Sequence, residues 1–159
     1  MFKGVDLARM SDADRTKLRR SAFGFVFQSG QLLPELPAIE NIALPMMLGG
    51  ADYRQATDAA MLWLERLGLR QLAQQRPGEM SGGQMQRVAI ARALAVRPAV
   101  IFADEPTGDL DAESTAIVMR LLRQVADDGT SVLMVTHDPD ALAYVDHTYR
   151  MDRGVLTRA

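Results

Sequence analysis

Cysteine is absent from this chain of 159 residues, which excludes disulfide bonds and thiolate metal sites. A surplus of positive charge is missing as well, because 18 lysine and arginine residues face 20 aspartate and glutamate residues. The formal net charge of −2 gives no electrostatic reason to expect nucleic acid as a partner. The composition fits an ordinary globular domain in a reducing compartment.

Long apolar runs are also missing. No segment approaches the about 20 apolar residues that a membrane-spanning helix needs, and the N-terminal residues lack the apolar centre of a secretory signal. We therefore expect a cytoplasmic chain that reaches a membrane only through a partner. The longest apolar stretches are short and predict buried strands.

Strand and helix patterns alternate in the C-terminal half of the chain. Residues 99–103 and 131–135 predict strands, and the helical pattern at 112–126 lies between them. This alternation implies an α/β fold with a parallel sheet that is covered on both faces. Elsewhere, the pattern predicts a helix at 12–20, a strand at 22–27, a turn-rich region at 29–45, a helix at 53–67 capped by Gly68, a helix at 84–96, a short helix from Asp138, and strands at 148–151 and 155–158. Residues 31–96 therefore form an all-helical insertion in the α/β frame.

Two acids, Asp104 and Glu105, end the apolar run at residues 100–103. Ligands of open α/β sheets bind at the carboxyl ends of the strands. A carboxylate at Asp104 can hold Mg²⁺ beside nucleotide phosphates, and Glu105 can polarise a water as a general base. The simpler interpretation is that acids often begin the loop after a strand, and residue types alone leave both open.

A serine and two glycines, Ser81, Gly82 and Gly83, precede the helical pattern at 84–96. Backbone N–H groups at a helix start, together with a hydroxyl, can bind an anion such as phosphate. The alternative is a serine N-cap with glycines in the turn. The residues do not decide between them.

Polar side chains end two further apolar runs. His137 follows the run at 131–135 and can donate to a phosphate oxygen, whereas Gln28 follows the run at 22–27 and can contact a metal ion or a water. A surface histidine and a solvated glutamine are the plainer interpretations. His147 has no such surroundings, and we interpret it as structural.

Together and in this order, these segments resemble the ATP-binding-cassette ATPases. Residues 80–84, Met-Ser-Gly-Gly-Gln, resemble the family signature LSGGQ, residues 100–105 the Walker B strand with its glutamate, residues 106–111 the D-loop, Gln28 the Q-loop glutamine, and His137 the switch histidine. Residues 24–28, 32–34, 40–45 and 102–108 resemble one branch of the family, which serves lipoprotein release, macrolide efflux and permeases of the cell-division type.

The resemblance implies a P-loop NTPase-like (RecA-like) fold. Residues 1–30 would end the N-terminal part of the catalytic subdomain, residues 31–96 would form the helical subdomain, and residues 97–159 would form the C-terminal part of the catalytic subdomain. The implied partners are an integral-membrane permease and a second ATP-binding subunit, with the chain peripheral on the cytoplasmic face of the inner membrane.

The resemblance also implies roles for single residues, with ATP and Mg²⁺ as the bound groups. Asp104 would hold Mg²⁺, Glu105 would be the general base, and His137 would contact the γ-phosphate. Gln28 would sense Mg²⁺ and the attacking water. The remaining residues would act at the dimer interface: Ser81, Gly82, Gly83 and Gln84 on ATP held by the opposite subunit, and Asp111 beside them.

One family motif, G-x-x-x-x-G-K-[ST], is absent, because neither Lys3 nor Lys17 follows a glycine. The family places this loop before Gln28, so we expect the chain to be truncated at its N-terminus. It would then lack the first strands, the P-loop and the aromatic residue that stacks on adenine, and it would bind and hydrolyse ATP poorly alone. Two alternatives stay open: a non-catalytic subunit that donates its signature to a partner, and a non-transport ATPase of the family.

Overall fold

The computed structural model describes residues 1–159. Five α-helices and five strands, with four short 3-10 helices, make up the chain. In chain order they are α1 (Asp12–Ser21), β1 (Phe23–Phe27), α2 (Ala38–Leu48), α3 (Tyr53–Arg66), α4 (Gly82–Leu94), β2 (Val100–Asp104), α5 (Ala112–Asp127), β3 (Ser131–Val135), β4 (Tyr149–Asp152) and β5 (Val155–Arg158). No helix is both long enough and apolar enough to cross a membrane.

The first three strands form a parallel sheet in the order β1-β2-β3, and β4 and β5 form a separate antiparallel pair. In the parallel sheet, Phe27, Asp104 and Val135 lie level with one another. The loops that begin at Gln28, at Glu105 and after Val135 therefore leave the sheet along the same edge.

Two apolar clusters fill the interior. One lies among the helices of residues 38–95 and includes Ile42 and Leu64; the other lies between the sheet and helices α4 and α5 and includes Val26 and Ile101. Helix α4 contributes to both, with Val88 and Ala91 in the first cluster and Ile90, Ala93 and Leu94 in the second. The position of α4 therefore sets how the helical part sits against the sheet.

The prediction that helices cover both faces of the sheet holds only in part, because one face is covered at β1 and open at β3. Leu133 and Val135 are 58% and 60% exposed, and α1 covers this face only near β1, where Leu18 lines a groove with Phe23 and Phe25. Crossover connections between parallel strands are right-handed. When successive strands are added in one direction across a sheet, the helices that connect them therefore lie on the same face. Both α4 and α5 accordingly pack on the face of Val26 and Ile101.

Two helix positions also differ from the prediction. Helix α2 occupies Ala38–Leu48, within and beyond the region predicted as turns, and it contains Pro45. Burial of its first residues among the other helices outweighs the turn-forming composition. Helix α4 begins and ends two residues early, so Gly82 and Gly83 lie in its first turn. The helix predicted at 53–67 is confirmed as α3, and Gly68 follows it at φ +67°, the left-handed geometry that glycine adopts freely.

Candidate functional site

Glu105 and His137 meet at the carboxyl ends of adjacent strands. Nδ1 of His137 lies 2.9 Å from Oε1 of Glu105, and since a carboxylate only accepts, Nδ1 donates and Nε2 stays available. Glu105 has a φ of +46°, a left-handed conformation that costs about 1–3 kcal/mol for a residue other than glycine. Its N–H donates to Val135 O at 2.9 Å. The sheet therefore holds Glu105 in a strained backbone with its side chain facing His137.

The imidazole of His137 has a raised pKa, first because it hydrogen-bonds to Glu105 and then because it is attracted to that carboxylate. A histidine whose folded pKa is raised contributes stability below its unfolded pKa, about 6.5, and that contribution is lost as the pH rises through the folded value. We expect the Glu105→Gln substitution to lower the pKa of His137, measured from its ring-proton NMR shifts. An unchanged titration would show that the contact is absent in solution, and His147 serves as the internal control.

Gln28 begins the loop after β1, and its Nε2 donates to Oδ1 of Asp109 at 2.9 Å. The turn at Gly108 packs tightly against the Gln28 side chain, because a Cβ added to Gly108 would lie 2.9 Å from Gln28 Nε2. The carboxylate accepts only, so the amide oxygen of Gln28 remains the acceptor for another ligand. No role was predicted for Asp109, since its contact with Gln28 spans 81 positions.

Asp104 lies exposed at the end of β2, level with Phe27 and Val135. No group of three or more histidine, cysteine, aspartate or glutamate side chains in the chain could hold a metal ion. Mg²⁺ bound with nucleotides takes one or two protein ligands and completes its shell with phosphates and waters. Asp104 and the amide oxygen of Gln28 fit a site of that kind and do not fit an all-protein cage.

The segment at 80–84 is shaped by a capping box at the start of α4. The N–H of Gln84 donates to Ser81 Oγ at 3.3 Å, and the N–H of Ser81 donates to Gln84 Oε1 at 2.9 Å. Ser81 and Gly82 are exposed, so they face solvent at the positive end of the helix dipole. Met80 is buried in the helical cluster, where methionine and leucine occupy similar volumes.

Helix α5 starts beside α4. Both carboxylate oxygens of Asp111 accept from Ser114, one from its N–H and one from its hydroxyl, each at 2.9 Å, and these bonds lower the pKa of Asp111. A Cβ added to Gly83 would lie 2.8 Å from Ser114 Cβ. Two helix N-termini therefore converge where Gly83 meets Ser114, a contact that neither segment predicts alone.

The predicted site residues lie in two groups. Gln28, Asp104, Glu105 and His137 follow the strand ends, whereas Ser81 to Gln84 and Asp111 start the two helices. Asp109 lies between the groups, because its side chain accepts from Gln28 and its carbonyl oxygen lies 3.9 Å from a Cβ added to Gly82.

Comparison with known proteins gives consistent results. A sequence profile for the family described as "ABC transporter" matches residues 1–108. The chain is 44% identical over 157 residues to the lipoprotein-releasing system ATP-binding protein LolD of Shewanella sp. (strain MR-4), which covers 98% of this chain and 68% of that protein. LolD of Paramagnetospirillum magneticum is 45% identical over 154 residues, 96% of this chain and 68% of its own length.

A solved structure matches the whole described fold. The ATP-binding cassette MJ0796, in a dimeric post-hydrolysis state with ADP and Pi, superposes with a TM-score of 0.85 at 35% identity, over 98% of this chain and 71% of that one. The predicted α/β fold of the P-loop NTPase type is thereby confirmed.

Proposed function

The chain belongs to the ABC transporter family as an ATP-binding subunit, and we propose that it couples ATP binding and hydrolysis to substrate movement across a bacterial inner membrane. The contact of Glu105 with His137 at adjacent strand ends carries this proposal. A carboxylate beside a histidine, at the edge where α/β sheets bind ligands, suits activation of a water beside a phosphate.

In this proposal, Glu105 polarises the attacking water. His137 in its protonated form, which its raised pKa favours, donates from Nε2 to a γ-phosphate oxygen while Nδ1 donates to Glu105. Asp104 and the amide oxygen of Gln28 would hold Mg²⁺, which when bound would neutralise charge on the phosphates. The hydrogen bonds of Glu105 to Val135 O and to His137 hold its carboxylate at the site against the strain of its backbone.

The helix starts suit an ATP molecule held by a second subunit. Ser81 and Gly82 are exposed there, and the positive ends of α4 and α5 favour an anion. We propose that Ser81, Gly82, Gly83, Gln84 and Asp111 form this half-site in a dimer, as the dimeric state of MJ0796 suggests. A membrane permease would hold the dimer on the cytoplasmic face, and the LolD relatives make lipoprotein release the first process to test.

The residues present have no glycine-lysine step to grip the β- and γ-phosphates. We propose that the 159-residue chain alone binds ATP weakly and hydrolyses it little. Phosphate release from the pure chain is then expected to be the same for the wild type and for Glu105→Gln. A measurable rate of phosphate release that falls in the Glu105→Gln variant would contradict the proposal that the chain alone hydrolyses little ATP.

The catalytic role itself is tested by adding a phosphate-binding loop. The N-terminal part of a complete ATP-binding cassette that contains G-x-x-x-x-G-K-[ST] is fused before residue 1. We expect ATPase activity in this fusion and a loss of about 100-fold or more in the Glu105→Gln variant, the usual contribution of a general base. A folded, ATP-binding fusion that is equally active with either residue would contradict the role of Glu105.

A second candidate function is that of a non-catalytic subunit, which supplies its signature residues 80–84 to the ATP site of a partner cassette. The complete capping box at Ser81 and Gln84 favours it, because the half-site for a partner's ATP is intact while the chain has no lysine loop. In a mixed dimer of this chain with a complete cassette, this function predicts that a substitution at Ser81 lowers ATP hydrolysis. A substitution at Glu105 of this chain should leave ATP hydrolysis unchanged.

A further inference from the structure

The loop that carries Gln28 is held by side chains of α4. Three backbone carbonyls on either side of Gln28 accept hydrogen bonds: Phe27 O from Gln86 Nε2 at 3.0 Å, Gly30 O from Arg92 Nη2 at 2.8 Å, and Gln31 O from Arg92 Nη1 at 2.6 Å. The donors lie six positions apart on one helix, so they span the loop from its start to its end.

Arg92 makes these bonds without an acidic partner. None of the ion pairs in the chain includes it, and burial lowers the pKa of its guanidinium. A half-buried cation is costly unless its donors are satisfied. The fork of two parallel N–H groups matches two successive carbonyls in a way that a lysine ammonium cannot.

The loop backbone is shaped to meet that fork. Gly30 and Gln31 both have left-handed φ values, +69° and +46°, and for Gln31 this conformation is uncommon. A Cβ added to Gly30 would lie 3.5 Å from Ala89 Cβ, on the same side of α4 as Gln86 and Arg92. The loop thus lies directly on the helix whose first residue follows Ser81.

We propose that Gln86 and Arg92 are positioning residues that fasten the Gln28 loop to α4, so that Gln28 and the signature serine Ser81 move as one body. Three hydrogen bonds and the packing of Gly30 join the loop to a helix of 13 residues, which transmits a displacement at its side to its N-terminus. The catalytic meaning of this coupling rests on the proposed roles of Gln28 and Ser81.

The absence of cysteine allows a direct measurement. Spin labels are placed on Ser29→Cys, in the loop, and on Gly78→Cys, three residues before Ser81; both positions are exposed, and a Cβ at 78 meets nothing within 4 Å. Pulsed dipolar spectroscopy of the full chain then gives the distribution of distances between loop and signature. We expect one narrow distribution, and we expect Arg92→Met to broaden it at least twofold.

The controls distinguish the loss of the hydrogen bonds from Gln86 and Arg92 to the Gln28 loop from a general loosening of the fold. Arg87, also on α4, donates to the carbonyls of Gly83 and Leu67 and makes no hydrogen bond to the loop, so Arg87→Met should keep the narrow distribution. Arg92→Lys, with one ammonium in place of the fork, should give an intermediate width. Exchange of the Gly30 amide, which donates to Phe27 O, should rise about tenfold in Arg92→Met.

If Arg92→Met does not fold, the distance distributions of Gln86→Met and Arg92→Lys test the proposal instead, since each variant removes only part of the hydrogen bonding between α4 and the loop. Wild-type widths in these folded variants would overturn the proposal, as would equal broadening by Arg87→Met. Neither measurement uses ATP. A failure of the proposed ATPase role would therefore leave the mechanical coupling standing, and a failure of the coupling would leave the ATPase role untouched.

Discussion

Replacing Asn41 with leucine is expected to lower the free energy of unfolding by about 3–5 kcal/mol, because it removes every hydrogen bond of a buried side-chain amide. Asn41 is fully buried. Its Oδ1 accepts from the Leu33 N–H at 2.8 Å, and the two N–H groups of its Nδ2 are shared among the carbonyls of Leu33, Leu36 and Pro37 at 3.0, 2.9 and 3.3 Å. Leucine has a similar volume, so the loss comes from polar groups left without partners.

Gln75 provides the matched control. Its Oε1 is buried near the start of α2 and has no hydrogen-bond partner, so Gln75→Met removes an unsatisfied group and should be neutral or stabilising. Urea denaturation monitored by fluorescence of Trp63, the single tryptophan, measures both variants. Equal effects of the two substitutions would show that hydrogen bonding by Asn41 does not organise residues 33–37.

Gly83→Ala is expected to destabilise the chain by about 1–3 kcal/mol through overpacking. The added methyl would lie 2.8 Å from Ser114 Cβ and closer still to its hydroxyl. Backbone atoms of α4 and α5 have to separate to admit it, because serine is too short to swing away. The same separation would disturb the convergence of the two helix starts.

Gly82→Ala is the neighbouring control, since a Cβ there would lie 3.7 Å from Leu110, an ordinary contact. It should be neutral or stabilising by up to about 1 kcal/mol, because alanine restricts the unfolded chain. Ser114→Gly should recover part of the Gly83→Ala loss in a double-mutant cycle, measured as a coupling free energy. If the effects of Gly83→Ala and Ser114→Gly on the free energy of unfolding are additive, the contact between α4 and α5 is not what excludes a larger residue at position 83.

Marginal stability makes both effects large. A domain of this size has about 5–15 kcal/mol of stability, so the loss at Asn41 is a substantial fraction of the total. Substitutions at Gly83 in a functional assay therefore need the stability measurement beside them, since a lost activity could arise from unfolding alone.

Local patterns predicted much of the fold. The apolar run at 131–135 is the strand β3 with the same bounds, and the helices predicted at 53–67 and 112–126 differ from α3 and α5 by one residue each at their C-terminal ends. Such elements are encoded by neighbouring residues, through apolar spacing and caps. The region predicted as turns contains α2, because its helical state depends on burial against α3 and α4 that its own residues do not reveal.

The motif order also identified the family, and the similarity to LolD confirms that identification. The roles of the individual site residues stay predictions. Several partners of those residues were not foreseen: Asp109 beside Gln28, Ser114 against Gly83, and Arg92 on the carbonyls of Gly30 and Gln31. These pairs are separated by tens of positions, so no local pattern could connect them.

By itself, the sequence determined the alternating strands and helices, the family and the absence of a glycine-lysine step. Each element and each motif depends on residues within a few positions of one another, and the order of the motifs follows directly from the sequence. Only the tertiary structure decided that α4 and α5 pack on the same face of the sheet, that Glu105 is strained beside His137, and that α4 holds the Gln28 loop. Each of these depends on where distant segments pack, because a side chain acquires its partners only when the chain folds around it.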